Sequence, residues 1–218
     1  MKANKSSNKR IFPETDIYCI TSEEHSNGRD NIAVVKEMID AGTKIIQYRE
    51  KDKEMGEKLE QCLQIREMTR RAGVFFIVND HVDLAMLTDA DGIHLGQEDL
   101  PIEEVKKLVG KDIVIGLSTH SPSQADDAIA RGADYIGVGP IYKTYTKKDV
   151  CNPVGLSYLD YVANNISIPF VAIGGIKAHN VSEVVKQGAG CVAMVTEIVG
   201  ANDIAGIIKD IRNIMKKG

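Results

Sequence analysis

Apolar residues along this chain gather in short runs, and an amphipathic stretch follows most of them. The run Asp16 to Thr21 leads to Asn31 to Ala41, Thr43 to Tyr48 leads to Glu54 to Ala72, and Val74 to Val78 leads to His81 to Thr88. Gly92 to Leu95 precedes Ile102 to Val109, Ile113 to Leu117 precedes Ser123 to Ala130, and Asp134 to Val138 precedes Gly155 to Asn164. The series closes with Pro169 to Ile173 before Asn180 to Gln187, and Cys191 to Val195 before Asp203 to Met215. The runs are rich in Val and Ile without clean alternation, as expected of parallel strands covered on both faces. The pattern therefore predicts eight strand-helix units.

Gly42, Gly73, Gly110, Gly132 and Gly188 stand where the predicted helices should end, the position that favours a left-handed cap. Eight units within roughly 200 residues match a small α/β fold of the (β/α)8 barrel type, with little room for a second domain. We expect one barrel domain over residues 13–218, preceded by a flexible tail over residues 1–12. A doubly wound open sheet is the alternative; it usually carries a glycine fingerprint after the first strand, which the residues after Thr21 do not provide.

The net charge of −4 is spread over interleaved acidic and basic residues, which argues against a nucleic-acid partner. No apolar run approaches membrane-spanning length, and the basic first ten residues lack a following apolar segment. The four cysteines, Cys19, Cys62, Cys151 and Cys191, are dispersed without metal or disulfide spacing, so a reducing cytoplasm is the expected setting.

Barrel active sites gather at the C-terminal ends of the strands, and polar residues accumulate there in this chain. Gln47, Arg49 and Lys51 alternate beyond the second strand and would share a face, forming an amide and two cations suited to phosphate or diphosphate. The bland reading is a solvated strand end. Asn79 and Asp80 follow the third strand and Asp99 the fourth, so the two carboxylates can converge beside the cations. They would be ion pairs or helix caps, or hard oxygen ligands for Mg2+. His94 is either a ligand contact or a hydrogen-bonded strand histidine, and Ser118 reads as a donor to diphosphate. Gly174-Gly175, before a helix, would let backbone N–H groups approach a second anion. The segment from Lys143 to Lys148 carries hydroxyls and ammoniums able to cover bound phosphates, or is a solvated loop.

The ordered set Gln47-Tyr-Arg-Glu-Lys51, Val78-Asn-Asp80, Asp91-Gly-Ile-His-Leu-Gly-Gln-Glu-Asp99, Gly139-Pro-Ile-Tyr-Lys-Thr-Tyr-Thr-Lys147 and Ile173-Gly-Gly-Ile176 resembles the thiamine phosphate synthase family. The resemblance runs from about Asp16 to Met215. It implies a transferase that joins hydroxymethylpyrimidine diphosphate to thiazole phosphate and releases diphosphate. It also implies that Gln47, Arg49, Lys51, Asn79, Ser118 and Lys147 hold the pyrimidine diphosphate, with Arg49, Lys51, Ser118 and Lys147 acting in catalysis. Asp80 and Asp99 would bind Mg2+. Thr144, Thr146, Gly175, Val195 and Thr196 would hold the thiazole phosphate, His94 would lie near the pyrimidine, and Tyr48, Glu50 and Tyr145 enter as further substrate contacts within the motifs. Departures from the family pattern are Lys143 where Pro is frequent, Cys151-Asn152 before Pro153, and Thr196 where Ser is frequent.

Rival readings on the same barrel are a thiazole tautomerase using His120, a phosphate-gripping sugar isomerase, and a phosphometabolite sensor without catalysis. A homo-oligomer is left open.

Overall fold

The computed structural model describes residues 10–146 and 151–218. Eight parallel strands close into a barrel in sequence order: β1 (Ile17–Ile20), β2 (Ile45–Tyr48), β3 (Phe75–Asn79), β4 (Gly92–Leu95), β5 (Val114–Thr119), β6 (Tyr135–Val138), β7 (Phe170–Ile173) and β8 (Val192–Met194). Strand β8 pairs with β1, as in Tyr18 against Ala193, so the sheet has no edges and the open doubly wound alternative is excluded.

The outer layer consists of α1 (Asn31–Asp40), α2 (Met55–Ala72), α3 (Val82–Leu87), α4 (Ile102–Val109), α5 (Pro122–Ala130), α6 (Gly155–Asn165), α7 (Val181–Lys186), α8 (Thr196–Val199) and α9 (Ile204–Met215). Asp30, Ser121 and Asp203 each accept a backbone N–H at the start of α1, α5 and α9. The five glycines expected at helix ends all have positive φ, and Gly73 closes α2 in the left-handed conformation. Two elements differ from expectation. Strand β5 continues through Ser118 and Thr119, because both pair with β6 and the Thr119 hydroxyl donates to Gly137 O. The four-residue α8 follows β8, where only a strand end was expected, since so short a helix leaves no periodic pattern.

Strand alternation divides the core into two. Ile17, Cys19, Ile46, Tyr48, Val78, Ile93, Leu95, Ile115 and Leu117 face the helices. Tyr18, Ile20, Ile45, Ile77, Val114, Tyr135, Val171 and Ala193 fill the barrel. Phe12 stacks on Tyr135 with ring centroids 4.3 Å apart, and Arg10 donates to Ala90 O and pairs with Asp89. The last residues of the expected tail are thus docked on the barrel, while residues 1–9 lie outside the described residues.

Candidate active site

The inner parity that places Ile45 in the barrel continues through Gln47 and on to Arg49 and Lys51. The same parity brings up Asn79 after Ile77, His94 after Gly92 and Ser118 after Gly116, with Asn79 in register with His94. Four neighbouring strands therefore lift polar side chains toward one arc of the barrel mouth.

Arg49 is anchored through its backbone: its N–H donates to Thr21 Oγ1 at 2.9 Å, and the Thr21 hydroxyl donates back to Arg49 O at 3.5 Å. Among the described residues its guanidinium has no hydrogen-bond or salt-bridge partner, so all five donors are available to a ligand. Lys51 Nζ reaches Asp80 Oδ2 at 2.5 Å. Asp80 adopts φ +59°, a strained left-handed turn that Asp tolerates better than most residues, and its N–H donates to His94 O.

Asp99 is fixed in the turn after β4 by accepting the Gly96 N–H at 2.6 Å. Burial raises its pKa, and the neighbouring Asp80 carboxyl raises it further, against the opposing pull of the Gly96 N–H and of Lys51. Two neighbouring carboxyls with one half-exposed lysine paired to them form a group that a divalent cation would relieve. Among the described residues no three metal-ligating side chains cluster. Two carboxylates nonetheless suit Mg2+, which keeps several waters and takes remaining oxygens from a phosphorylated substrate.

Below this arc a polar ladder crosses the barrel interior. Gln47 Nε2 donates to Tyr18 Oη (2.8 Å), Tyr18 and Tyr135 hydroxyls meet at 2.9 Å, Tyr135 Oη lies 2.9 Å from His94 Nδ1, and His94 Nε2 lies 2.9 Å from Ser118 Oγ. One orientation lets every buried hydroxyl donate: Tyr18 to Tyr135, Tyr135 to His94 Nδ1, and His94 Nε2–H to Ser118. The Ser118 hydrogen is then free to donate to a ligand. Burial raises both phenol pKa values, so the two tyrosines stay protonated. Gly116 makes room for it, since a Cβ there would sit 2.1 Å from the Tyr135 ring. Tyr18 and Tyr135 were not anticipated. The inward parity of each, with glycine opposite Tyr135, was the available signal. We expect Tyr135→Phe, which strands Tyr18 and His94 without their shared partner, to cost about 1–3 kcal/mol in denaturant unfolding.

Across the mouth, the segment after β6 lies against the end of β7. Ile141 and Tyr142 N–H groups donate to Ile173 O and Gly174 O, and a side chain at Gly175 (φ +63°) would meet Lys143 O at 2.6 Å. Asn180 Nδ2 donates to Gly175 O, and Glu197 joins this turn to α8 by accepting the Ala178 N–H and pairing with Lys177. Gly175, Val195 and Thr196 thus belong to one braced rim. Thr144 and Thr146 hydroxyls lie 3.3 Å apart beside it. Tyr145 projects into solvent at 80% exposure, with the Lys143 ammonium over its ring. Lys147, expected to touch the diphosphate, lies outside the described residues.

Two motif residues sit elsewhere. Tyr48 and Glu50 have outer parity. Tyr48 is buried in the strand-helix layer and donates to Gln61, while Glu50 accepts from Asn31 Nδ2 and the Glu23 N–H. The structure does not bring either side chain together with Arg49 and Lys51. His120, the candidate of the tautomerase reading, has Nδ1 bonded to Gly139 O, which makes Nδ1 its proton-bearing nitrogen.

A closed barrel whose mouth carries Arg49, the Lys51–Asp80 pair and Asp99 on one arc and the Gly175 rim on the other defines a class: barrel enzymes that handle phosphorylated small molecules at the C-terminal face. The chain matches the family model for thiamine monophosphate synthase over residues 17–198 and belongs to that family. It is 63% identical to thiamine-phosphate synthase of Pelotomaculum thermopropionicum over 204 residues, covering 94% of each chain. It is 51% identical to that of Caldicellulosiruptor saccharolyticus over 217 residues, 100% of this chain and 98% of the relative. The solved structure of thiamine phosphate pyrophosphorylase from Pyrococcus furiosus superposes with a TM-score of 0.85 at 33% identity, over 94% of this chain and 96% of that one.

Proposed function

We propose that this chain transfers a hydroxymethylpyrimidine group from its diphosphate to the nitrogen of thiazole phosphate, yielding thiamine phosphate and diphosphate. The observation that carries the reading is the Arg49 guanidinium, unpartnered among the described residues, on the strand end that also carries Lys51, whose ammonium pairs with Asp80. Family membership and the high identity to named synthases support it.

Arg49 and Lys51 grip the diphosphate, Asn79 and Ser118 donate to its oxygens, and Gln47 and His94 orient the pyrimidine. Asp80 and Asp99 would hold Mg2+, which when bound neutralises charge on the leaving diphosphate. The carbon–oxygen bond to diphosphate breaks with its electron pair leaving on oxygen, the aminopyrimidine delocalises the positive charge, and the thiazole nitrogen lone pair forms the new carbon–nitrogen bond. No proton is removed in this exchange. That accounts for a site built from anion donors and positioning groups without a nucleophile and base. Gly175, Val195, Thr196, Thr144 and Thr146 hold the thiazole phosphate opposite, and the family resemblance adds Lys147 to the diphosphate grip. Tyr48 and Glu50 act as supports for the strand end.

No helix among the described residues is long and apolar enough to cross a membrane. The cysteines are unpaired, with Cys19, Cys62 and Cys191 buried, and this supports a cytoplasmic, reducing setting. The deciding experiment incubates the purified protein with both substrates and Mg2+. Equimolar thiamine phosphate and diphosphate are the expected products, and substrate consumption without them would favour an isomerase.

A further inference from the structure

Lys58 on α2 is only 4% exposed, and among the described residues it has no carboxylate within ion-pair reach. Burying an ammonium without a counter-ion is costly, so its presence needs a compensating interaction. Its Nζ donates to Lys51 O at 3.2 Å and to His81 Nε2 at 3.3 Å. An ammonium has only donors, so His81 accepts through Nε2 and carries its proton on Nδ1.

These two bonds join the loop after β2 to the loop after β3. The residues they hold, Lys51 and His81, are respectively one half of the Lys51–Asp80 pair and the neighbour of its other half. The chain from Lys51 to Lys53 has no regular structure of its own, so the Lys58 bond to Lys51 O is a restraint on where the Lys51 side chain starts.

We infer that Lys58 is a positioning residue for the diphosphate site: it ties the Lys51 and Asp80 loops together from beneath and leaves a buried positive charge that a bound diphosphate compensates. The inference rests on the anion-grip reading of Arg49 and Lys51. It assigns Lys58 no contact with substrate.

The test is calorimetric titration of inorganic diphosphate with Mg2+, and separately of thiazole phosphate, into the unmodified protein, Lys58→Met and Arg49→Ala, with thermal melting of each. Methionine keeps the buried stem and removes charge and donors. Lys58→Met is expected to bind diphosphate about tenfold more weakly, to bind thiazole phosphate unchanged, and to melt no lower than the parent. A purely structural role for the ammonium and its two bonds would lower the melting temperature and leave both affinities alone. Should the methionine variant not fold, Lys58→Gln carries the same comparison. Diphosphate affinity within about twofold of the parent, while Arg49→Ala loses it, overturns the inference and leaves the grip intact. Unchanged affinity in Arg49→Ala overturns the grip and the inference with it.

Discussion

Asp80→Ala is expected to raise the Mg2+ concentration needed for half-maximal product formation by about 10- to 100-fold, measured by titrating initial rates at saturating substrates. The carboxylate it removes is oriented twice, by its left-handed backbone and by Lys51, and it faces Asp99, which the Gly96 N–H holds in place. Asp99 alone would remain as a single oxygen ligand. Stability supplies an independent reading. The Lys51–Asp80 pair has a half-exposed lysine and contributes little to folding, whereas the crowding of Asp80 against Asp99 opposes it. Without Mg2+ the variant should melt at or slightly above the parent, and the rise in melting temperature on adding Mg2+ should largely vanish, because the ion then has less to bind. A parent-like Mg2+ dependence in Asp80→Ala would remove Asp80 from the metal assignment.

The alternation of strand residues made much of this site readable from sequence. It puts Gln47, Arg49 and Lys51 on one face, and it also separates Tyr48 and Glu50 onto the opposite face. Reading Gln47 to Lys51 as one motif counted those two as substrate contacts, while their side chains serve a network with Gln61, Asn31 and Glu23. The eight strand-helix units were legible because each pairs a Val/Ile run with a helical period and most of the helices end at glycine. What was hidden depends on meetings between distant positions. Tyr18 and Tyr135 are 117 residues apart, and nothing local marks their hydroxyls as partners. The closeness of Asp80 and Asp99 needs both a positive φ at Asp80 and the Gly96 to Asp99 turn, which residue types permit but do not dictate. Likewise Lys58 looks like a surface lysine of an amphipathic helix until the β2 and β3 loops fold over it.

Arg49→Ala is expected to lower kcat by about 100- to 1000-fold, the range found when a preorganised donor to developing negative charge is removed. Its backbone is fixed by Thr21 from both sides and among the described residues its guanidinium has no partner, so folding stability should change by less than about 0.5 kcal/mol. The loss should fall chiefly on turnover. Charge on the bridging oxygen grows as the bond to the pyrimidine carbon stretches, so a forked donor there is worth more in the transition state than in the bound substrate. Arg49→Lys separates charge from geometry: it keeps the positive charge but not the planar fork, and should recover only part of the rate. The KM for thiazole phosphate should stay near that of the parent in both variants, because its phosphate binds at the Gly175 and Thr196 rim on the other side of the mouth. Steady-state kinetics with each substrate varied in turn measures all three quantities. A kcat within about threefold of the parent in Arg49→Ala would mean that the leaving diphosphate is neutralised elsewhere.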